Sequence, residues 1–350
     1  MKPGAVVITP RDLAAFVSAL FAARGMRAVD GQTVAEVLLW ADLRGTASHG
    51  VSRVPNYLGM IDKGQLDPVA VPEMRVDLGA VFSLDAQRAA GPVAMMAGLA
   101  AAQTRARAFG IGMALVSRTT HTGAIGCYAE KAAQQGFAAV VLGAGPPIMA
   151  YHGARVPSVS TAPVAIAVPG GPSGAIVLDM ASSIVANGRL KQARQTNEPI
   201  PEGWALDANG RSTTDAAQAS IPLPMGGAKG AGLALMNECL TSVLAGAPIL
   251  SAMLGPNGKR AHVQNASIIL IDIARFRPLD AFTSDIDLLS GIIHSLPRME
   301  GVDEIRLPGE RGAAEAERRR ASGVRVSAKS WQDLLKVAGE LGVPPPAIKA

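Results

Sequence analysis

The order of patterned segments predicts an α/β fold, with helices first, strands and helices alternating through the middle, and helices again at the end. Two observations carry this expectation. Apolar residues recur at helical spacing through residues 9–43 and again through 311–342, whereas "GIGMALVSR", "FAAVVLGAG" and "NASIILIDI" are apolar runs of strand length. Near-continuous apolar strands belong in a sheet covered on both faces. The expected architecture is therefore a buried sheet core, residues 76–304, beside a helical region assembled from both termini, residues 1–75 with 305–350.

Each element has its own warrant. "TPRDLAAFVSALFAARGM" places Thr9 before Pro10 and Asp12 three residues after the threonine, a capping signature that starts a first helix. A second helix, about Gln32 to Leu43, has Val34, Val37, Leu38 and Ala41 on one face and breaks near Gly45. "VPNYLGMIDKG" predicts a short helix closed by Gly64, and "MRVDLGAVFSLDAQRAAG" two short strands around a turn. "GPVAMMAGLAAAQTRARAFG" is a helix of small residues. A strand, helix, strand unit follows from "GIGMALVSR", "GAIGCYAEKAAQQG" and "FAAVVLGAG", and "TAPVAIAVPG", "GAIVLDMA" and "NASIILIDI" add strands. Helices are expected at about Lys229 to Ala245, Asp285 to Leu296, and twice between Arg311 and Gly342.

Composition narrows the classes of function. In 350 residues, 33 basic side chains stand against 28 acidic ones, so the net charge of +5 is spread thinly and gives no nucleic-acid footprint. The densest basic run, "ERRR" at Glu317 to Arg320, reads as a solvated helix face. The two cysteines, Cys127 and Cys239, lie far apart without metal-ligand spacing, which argues against a disulfide scaffold and a zinc site. No signal-peptide run opens the chain and no stretch approaches the roughly 20 apolar residues of a membrane span. The expectation is a cytoplasmic protein with no metal and no membrane partner.

Three polar clusters interrupt the apolar pattern. In "RGTASHGVSRVPNY", His49 follows Ser48 and precedes Arg53 by four residues, which reads either as a proton donor beside a carboxylate clamp or as a helix end with a dipole-stabilised histidine. In "SRTTHTGAIGCYAEKAA", His121 stands between a strand and a helix, where backbone amides hold a phosphate or the ring merely caps the loop. In "PMGGAKGAG", three glycines surround Lys229 at a helix start, an anion site or a simple turn. His152, His262 and His294 lack such company and read as structural. "LGAGPPIMAYHG" follows a strand, but Pro146 and Pro147 prevent the glycine turn from running into a helix, so an ordinary Rossmann fingerprint is absent. Gly230 after Lys229 breaks the P-loop pattern, and no G-x-S-x-G elbow supports acyl transfer.

Taken in order, "ADLRGTASHGVSRVPNYLGMIDKGQL", "THTGAIGCYAEKAA", "STAPVAIAVPG", "IVLDMASSIVANGRL", "EPIPEGWALDANGRSTTD", "PMGGAKGAGLALMNE" and "LPGERG" resemble the non-Rossmann malate/L-lactate dehydrogenase family over nearly the whole chain. That family also includes ureidoglycolate, sulfolactate and diketogulonate oxidoreductases and the Δ1-piperideine-2-carboxylate reductases. The resemblance implies a homodimer with a non-Rossmann NAD(P)-binding sheet domain, and hydride transfer between the nicotinamide and C2 of a small 2-hydroxy or 2-oxo acid. It assigns proton donation to His49, orientation of that histidine to Ser48, and the substrate carboxylate to Arg53, with further substrate contacts at Thr161 and Arg189. Cofactor contacts carry over to His121, Thr122, Gly123, Ala124 and Ile125, to Asp179, Met180 and Ala181, to Lys229, and to Pro308, Gly309 and Glu310. The basic balance leans to NADP over NAD.

The sequence also departs from the family pattern. Arg189 follows "VANG" where hydroxyacid dehydrogenases usually carry lysine and cyclic imine reductases an acid that completes a relay with the serine and histidine. Arginine keeps the charge of the first group and cannot act as that acid. Asn187 replaces a common arginine, and "TTHTGAIG" replaces "NHFGAAG". A 2-oxo acid is the expected substrate, with a cyclic 2-imino acid as the alternative.

Overall fold

The computed structural model describes residues 4–172, 174–247 and 264–349. Its centre is a seven-stranded mixed sheet in the order β2-β3-β4-β13-β5-β8-β9. The strands are β2 (Glu73–Leu78), β3 (Val81–Asp85), β4 (Ile111–Thr119), β5 (Phe137–Ala144), β8 (Val164–Val168), β9 (Ile176–Met180) and β13 (Gln264–Asp272), while β6 (Met149–Ala150) pairs with β7 (Pro157–Val159), and β10 (Ala205–Leu206) with β11 (Ser212–Thr213) and β12 (Ile221–Pro222), in two small sheets. Only β3 and β4 pair in parallel, joined by helix α4 (Gly91–Phe109). The strand, helix, strand unit of the sequence reading is present as β4, α5 (Gly126–Ala133) and β5, yet the two strands are not neighbours. β13 inserts between them, antiparallel to both.

This central position explains why β13 reads as an unbroken apolar run: Ala266, Ile268 and Leu270 are fully buried beside Ala114, Val116, Val141 and Ala139. The faces are covered by α4, α5 and, from a later part of the chain, α7 (Ala228–Glu238). Edge strand β2 is exposed along its length.

A second apolar core joins the two ends of the chain. α1 (Pro10–Ala23) begins as the sequence indicates, with the Thr9 hydroxyl accepting the Asp12 N–H at 3.1 Å. It buries Leu13, Phe16, Val17, Leu20 and Phe21 against α2 (Ala28–Leu43), α3 (Val54–Asp62), and the C-terminal helices α9 (Glu310–Ser322) and α10 (Ala328–Leu341). The rings of Phe16 and Trp331 pack tilted, 6.0 Å apart. Two strands of three residues that the sequence does not announce, β1 (Val6–Ile8) and β14 (Val324–Val326), pair antiparallel beside this core.

Other boundaries shift modestly. The second helix starts at Ala28 rather than near Gln32, and the helix expected at Asp285 to Leu296 runs as α8, Leu279–Ser295. The segment expected as one helix from Lys229 to Ala245 is α7 followed by a π turn over Cys239–Val243. A helix not expected from the sequence, α6 (Asn187–Thr196), follows β9. Charged pairs Glu315–Arg318 and Glu317–Arg320 decorate α9, as the solvated-face reading requires, but Arg319 of the same run turns inward and donates to the Asp42 carbonyl at 2.6 Å. His262 lies outside the described residues. Among the described residues, no helix is long and apolar enough to cross a membrane.

Candidate active site

One end of the sheet gathers most of the polar clusters. β4 ends at Thr119, just before His121; β5 ends at Ala144; β8 begins at Val164, just after Thr161; and β9 ends at Met180, paired with Val164. The amide of Ser182 donates to the Thr161 carbonyl at 2.8 Å, and its carbonyl accepts the Met225 N–H at 2.9 Å, which brings the turn before Lys229 to the same end.

The His49 loop reaches this end from the helical region. α2 stops at Leu43, and the chain continues through two short 3₁₀ turns, Ala47–His49 and Val51–Arg53, into α3. The buried carboxyl of Asp42 fixes the bend by accepting the Val51 N–H at 2.7 Å. It sits so close to Gly50 that a Cβ there would lie 2.1 Å from Asp42 Oδ1, so only glycine fits. Burial pushes the Asp42 pKa up to about 7, against the opposing influence of the Val51 amide and Arg319.

Within the loop, Ser48 Oγ lies 3.0 Å from His49 Nδ1, and Arg53 Nε donates to the Ser48 carbonyl at 2.6 Å. Among the described residues this is the one hydrogen bond of the Arg53 guanidinium, so its terminal nitrogens remain for an anion. The His49 ring stacks on that of His121, with centroids 5.5 Å apart and planes at 26°. Burial first, then the Arg53 charge, lower the His49 pKa to about 4. The same two causes, in that order, and His49 itself hold His121 well below the usual histidine range. Two neutral imidazoles thus face each other beside a guanidinium.

Tyr57 anchors the His121 ring. Fully buried on α3, it places its hydroxyl 2.7 Å from His121 Nδ1 and 3.0 Å from the His121 carbonyl, and the Gly123 N–H also approaches Nδ1 at 3.3 Å. The Gly123 N–H directed at Nδ1 is the arrangement of the tautomer that carries its hydrogen on Nε2. Sequence reasoning missed Tyr57, which reads as one more apolar position of a short helix. Its spacing of four from Arg53, hence the same helix face, is the signal that marks it.

The other sequence candidates fall into place around this pair. α6 abuts the His49 loop at its first turn: a Cβ on Gly188 would stand 2.5 Å from Ser48 Cβ. Arg189, next in the chain, is exposed and holds its guanidinium 5.4 Å from the centre of the Trp204 ring. Thr122 is buried, and Ala124 and Ile125 bury their side chains, leaving this loop its backbone for contact. Asp179 accepts the Gly126 N–H at 3.0 Å. Met180 and Ala181 lead from β9 into Ser182. Lys229 is exposed at the start of α7, whose first residues follow Gly226 and Gly227, both at positive φ, without a side-chain cap. His152 lies beside that turn, its ring 3.3 Å from where a Gly227 Cβ would be.

The Pro308–Glu310 segment meets the sheet edge, with the Pro308 carbonyl accepting the Val177 N–H at 3.1 Å. Arg44, also missed from sequence, ties it to the helical region by donating to the Gly309 carbonyl at 3.0 Å and pairing with Glu130 at 2.8 Å. Glu310 is occupied locally: one oxygen caps Leu307 N–H at 2.7 Å and the other lies 2.8 Å from His294 Nε2, so His294 has a partner.

A profile of the family described as malate/L-lactate dehydrogenase matches residues 8–335, the span that holds the sheet core, most of the helical core and every loop of the site. The chain belongs to the malate/L-lactate dehydrogenase family. Its similarity to (2R)-3-sulfolactate dehydrogenase (NADP(+)) of Chromohalobacter salexigens is 35% identity, covering 87% of this chain and 90% of that protein. Among solved structures, the sulfolactate dehydrogenase of Methanocaldococcus jannaschii superposes with a TM-score of 0.88 at 29% identity, covering 96% of this chain and 98% of the other. The Δ1-piperideine-2-carboxylate reductase of Pseudomonas syringae gives 0.82 at 26% identity, covering 95% and 99%. These family relations make the chain an NAD(P)-dependent dehydrogenase by class.

Proposed function

We propose that this dehydrogenase interconverts a small 2-oxo acid and its 2-hydroxy acid, with His49 as proton donor and acceptor. The observation that carries the reading is the stacked His49–His121 pair beside an Arg53 that is anchored by one nitrogen only. A bound nicotinamide would supply or take the hydride at C2. Arg53 takes the carboxylate in forked geometry and so orients C2, Ser48 holds the His49 ring through Nδ1, and His121 offers a neutral Nε2–H. Thr161 and Arg189 are proposed as further substrate contacts.

A substrate carboxylate at Arg53 removes one of the two causes that depress the His49 pKa, and His49 gains proton affinity as the acid binds. The residues also suit the cofactor. Exposed Lys229 and the uncapped start of α7 match its phosphates, the backbone of His121–Ile125 with Asp179–Ala181 lines the adjoining sheet end, and Pro308–Glu310 runs along the edge strand β9. NADP is the proposed form, supported by the NADP(+)-dependent relative and by the basic balance.

Reduction of a cyclic 2-imino acid is the second reading, favoured by the likeness to the piperideine-2-carboxylate reductase structure. Arg189, in place of the relay acid, weighs against it. A homodimer is proposed as well, supported by the apolar side chains that α7 and its π turn leave exposed, Met236, Leu240, Val243 and Leu244. Both cysteines are free thiols, consistent with the cytoplasm.

The deciding experiment follows oxidation of NADPH and NADH with pyruvate, oxaloacetate, 2-oxoglutarate and sulfopyruvate against Δ1-piperideine- and Δ1-pyrroline-2-carboxylate. Turnover of a 2-oxo acid is expected; turnover of the imines alone refutes the preferred substrate class. His49→Ala is expected to lower kcat on the order of 10²–10⁴-fold with cofactor affinity unchanged, and wild-type turnover removes His49 from the role.

A further inference from the structure

We infer that Glu238, with Asn237 beside it, is a positioning residue that holds the turn Ser160–Pro163 in place at the sheet end; the consequence for substrate rests on the proposed contact of Thr161. Glu238 is a buried glutamate, 2% exposed, and the proposed reaction assigns it no role. Its Oε1 accepts the Ser160 N–H at 3.1 Å. Asn237 Nδ2 donates to the Pro163 carbonyl at 2.9 Å, so two consecutive residues of α7 grip both ends of the turn.

The turn needs gripping. Ala162 sits at φ 35, in the left-handed region that a residue with a Cβ rarely adopts and that persists only where the surroundings over-determine it. Its N–H donates to Ser160 Oγ at 3.1 Å and its carbonyl accepts from Ser182 Oγ at 2.8 Å. Ser182 N–H holds the Thr161 carbonyl as well, so Thr161 is presented between supports from α7 and from the strand end of β9.

Consecutive helix side chains ordinarily diverge by about 100°, and the π turn begins at Cys239, directly after the pair. Leu244 N–H reaches back to the Cys239 carbonyl at 3.1 Å, and the loosened carbonyls are taken up by hydroxyls, Asn237 O by Thr241 Oγ1 at 2.7 Å and Leu240 O by Ser267 Oγ at 2.6 Å. The wide turn thus lies directly behind the gripping residues.

The test compares Glu238→Ala, Glu238→Gln and Thr161→Ala. Glutamine keeps an acceptor at the same place without the charge. Hydrogen exchange of the peptide spanning residues 158–164 is expected to quicken at least tenfold in Glu238→Ala and to stay within about twofold of wild type in Glu238→Gln. Unchanged exchange in Glu238→Ala, or equal loosening in both variants, overturns the proposal. KM for the best of pyruvate, oxaloacetate and sulfopyruvate is expected to rise about tenfold in Glu238→Ala and Thr161→Ala, with kcat within about threefold. A raised KM in Thr161→Ala alone also overturns it. Quickened exchange with an unchanged KM in both alanine variants upholds the grip of Glu238 and refutes only the substrate contact of Thr161.

Discussion

Asp42 and His49 are seven residues apart and carry opposite consequences for stability. The folded chain keeps His49 neutral down to about pH 4, whereas the unfolded histidine takes up its proton near the ordinary value of 6.5. Between these values the unfolded state binds more protons, so this residue alone lowers stability as the pH falls. Asp42 is the reverse: folded, it keeps its proton up to about 7, while unfolded it releases it near 3.8, so its contribution is lost as the pH rises. Over the shared window the two slopes cancel. Asp42→Asn keeps an acceptor for Val51 N–H and removes one of them. Its unfolding free energy, measured by urea titration, is expected to rise relative to wild type by about 1.4 kcal/mol per pH unit between roughly pH 4 and 7. A constant difference across that range refutes the buried, protonated Asp42.

Elements whose signals are local were legible in the sequence. The Thr9 cap, the apolar face of α1 and the unbroken run of β13 each state their structure within a dozen residues. β1 and β14 did not, because three-residue strands at opposite ends of the chain gain stability only from each other. α6 was hidden by its composition: "NGRLKQARQT" offers only Leu190 and Ala193 as apolar positions, too few to make an apolar stripe. The site shows the same division. Each polar loop stood out as a break in the apolar pattern, yet the stacking of His49 on His121 depends on tertiary placement that no local spacing encodes. α6 also makes a testable contact. Gly188→Ala puts a methyl group 2.5 Å from Ser48 Cβ and must push α6 or the His49 loop aside. A loss of at least tenfold in kcat/KM with unchanged NADPH affinity is expected, on the scale that small misplacements cost at reacting centres. Normal kinetics would show that the contact relaxes without reaching His49.

At the scale of the whole molecule, the exposed apolar row along α7 and its π turn predicts self-association. Leu240→Glu, which puts a charge in the middle of that row, is expected to shift the light-scattering mass from two chains toward one; an unchanged dimer places the interface elsewhere. Association there would also press on the helix that bears Glu238. The pairing of β1 with β14 has a different consequence, in the order of synthesis. The apolar faces of α1 and α2 leave the ribosome before the sheet, but the strand and helices that complete their core, Val324–Val326 and Ala328–Leu341 among them, are made after it. During translation the sheet has all its strands once Asp272 has emerged, while the earliest helices still wait for their partners. α1 and α2 therefore expose their apolar faces to chaperones for longer than the strands of the sheet do, although they are made before most of them.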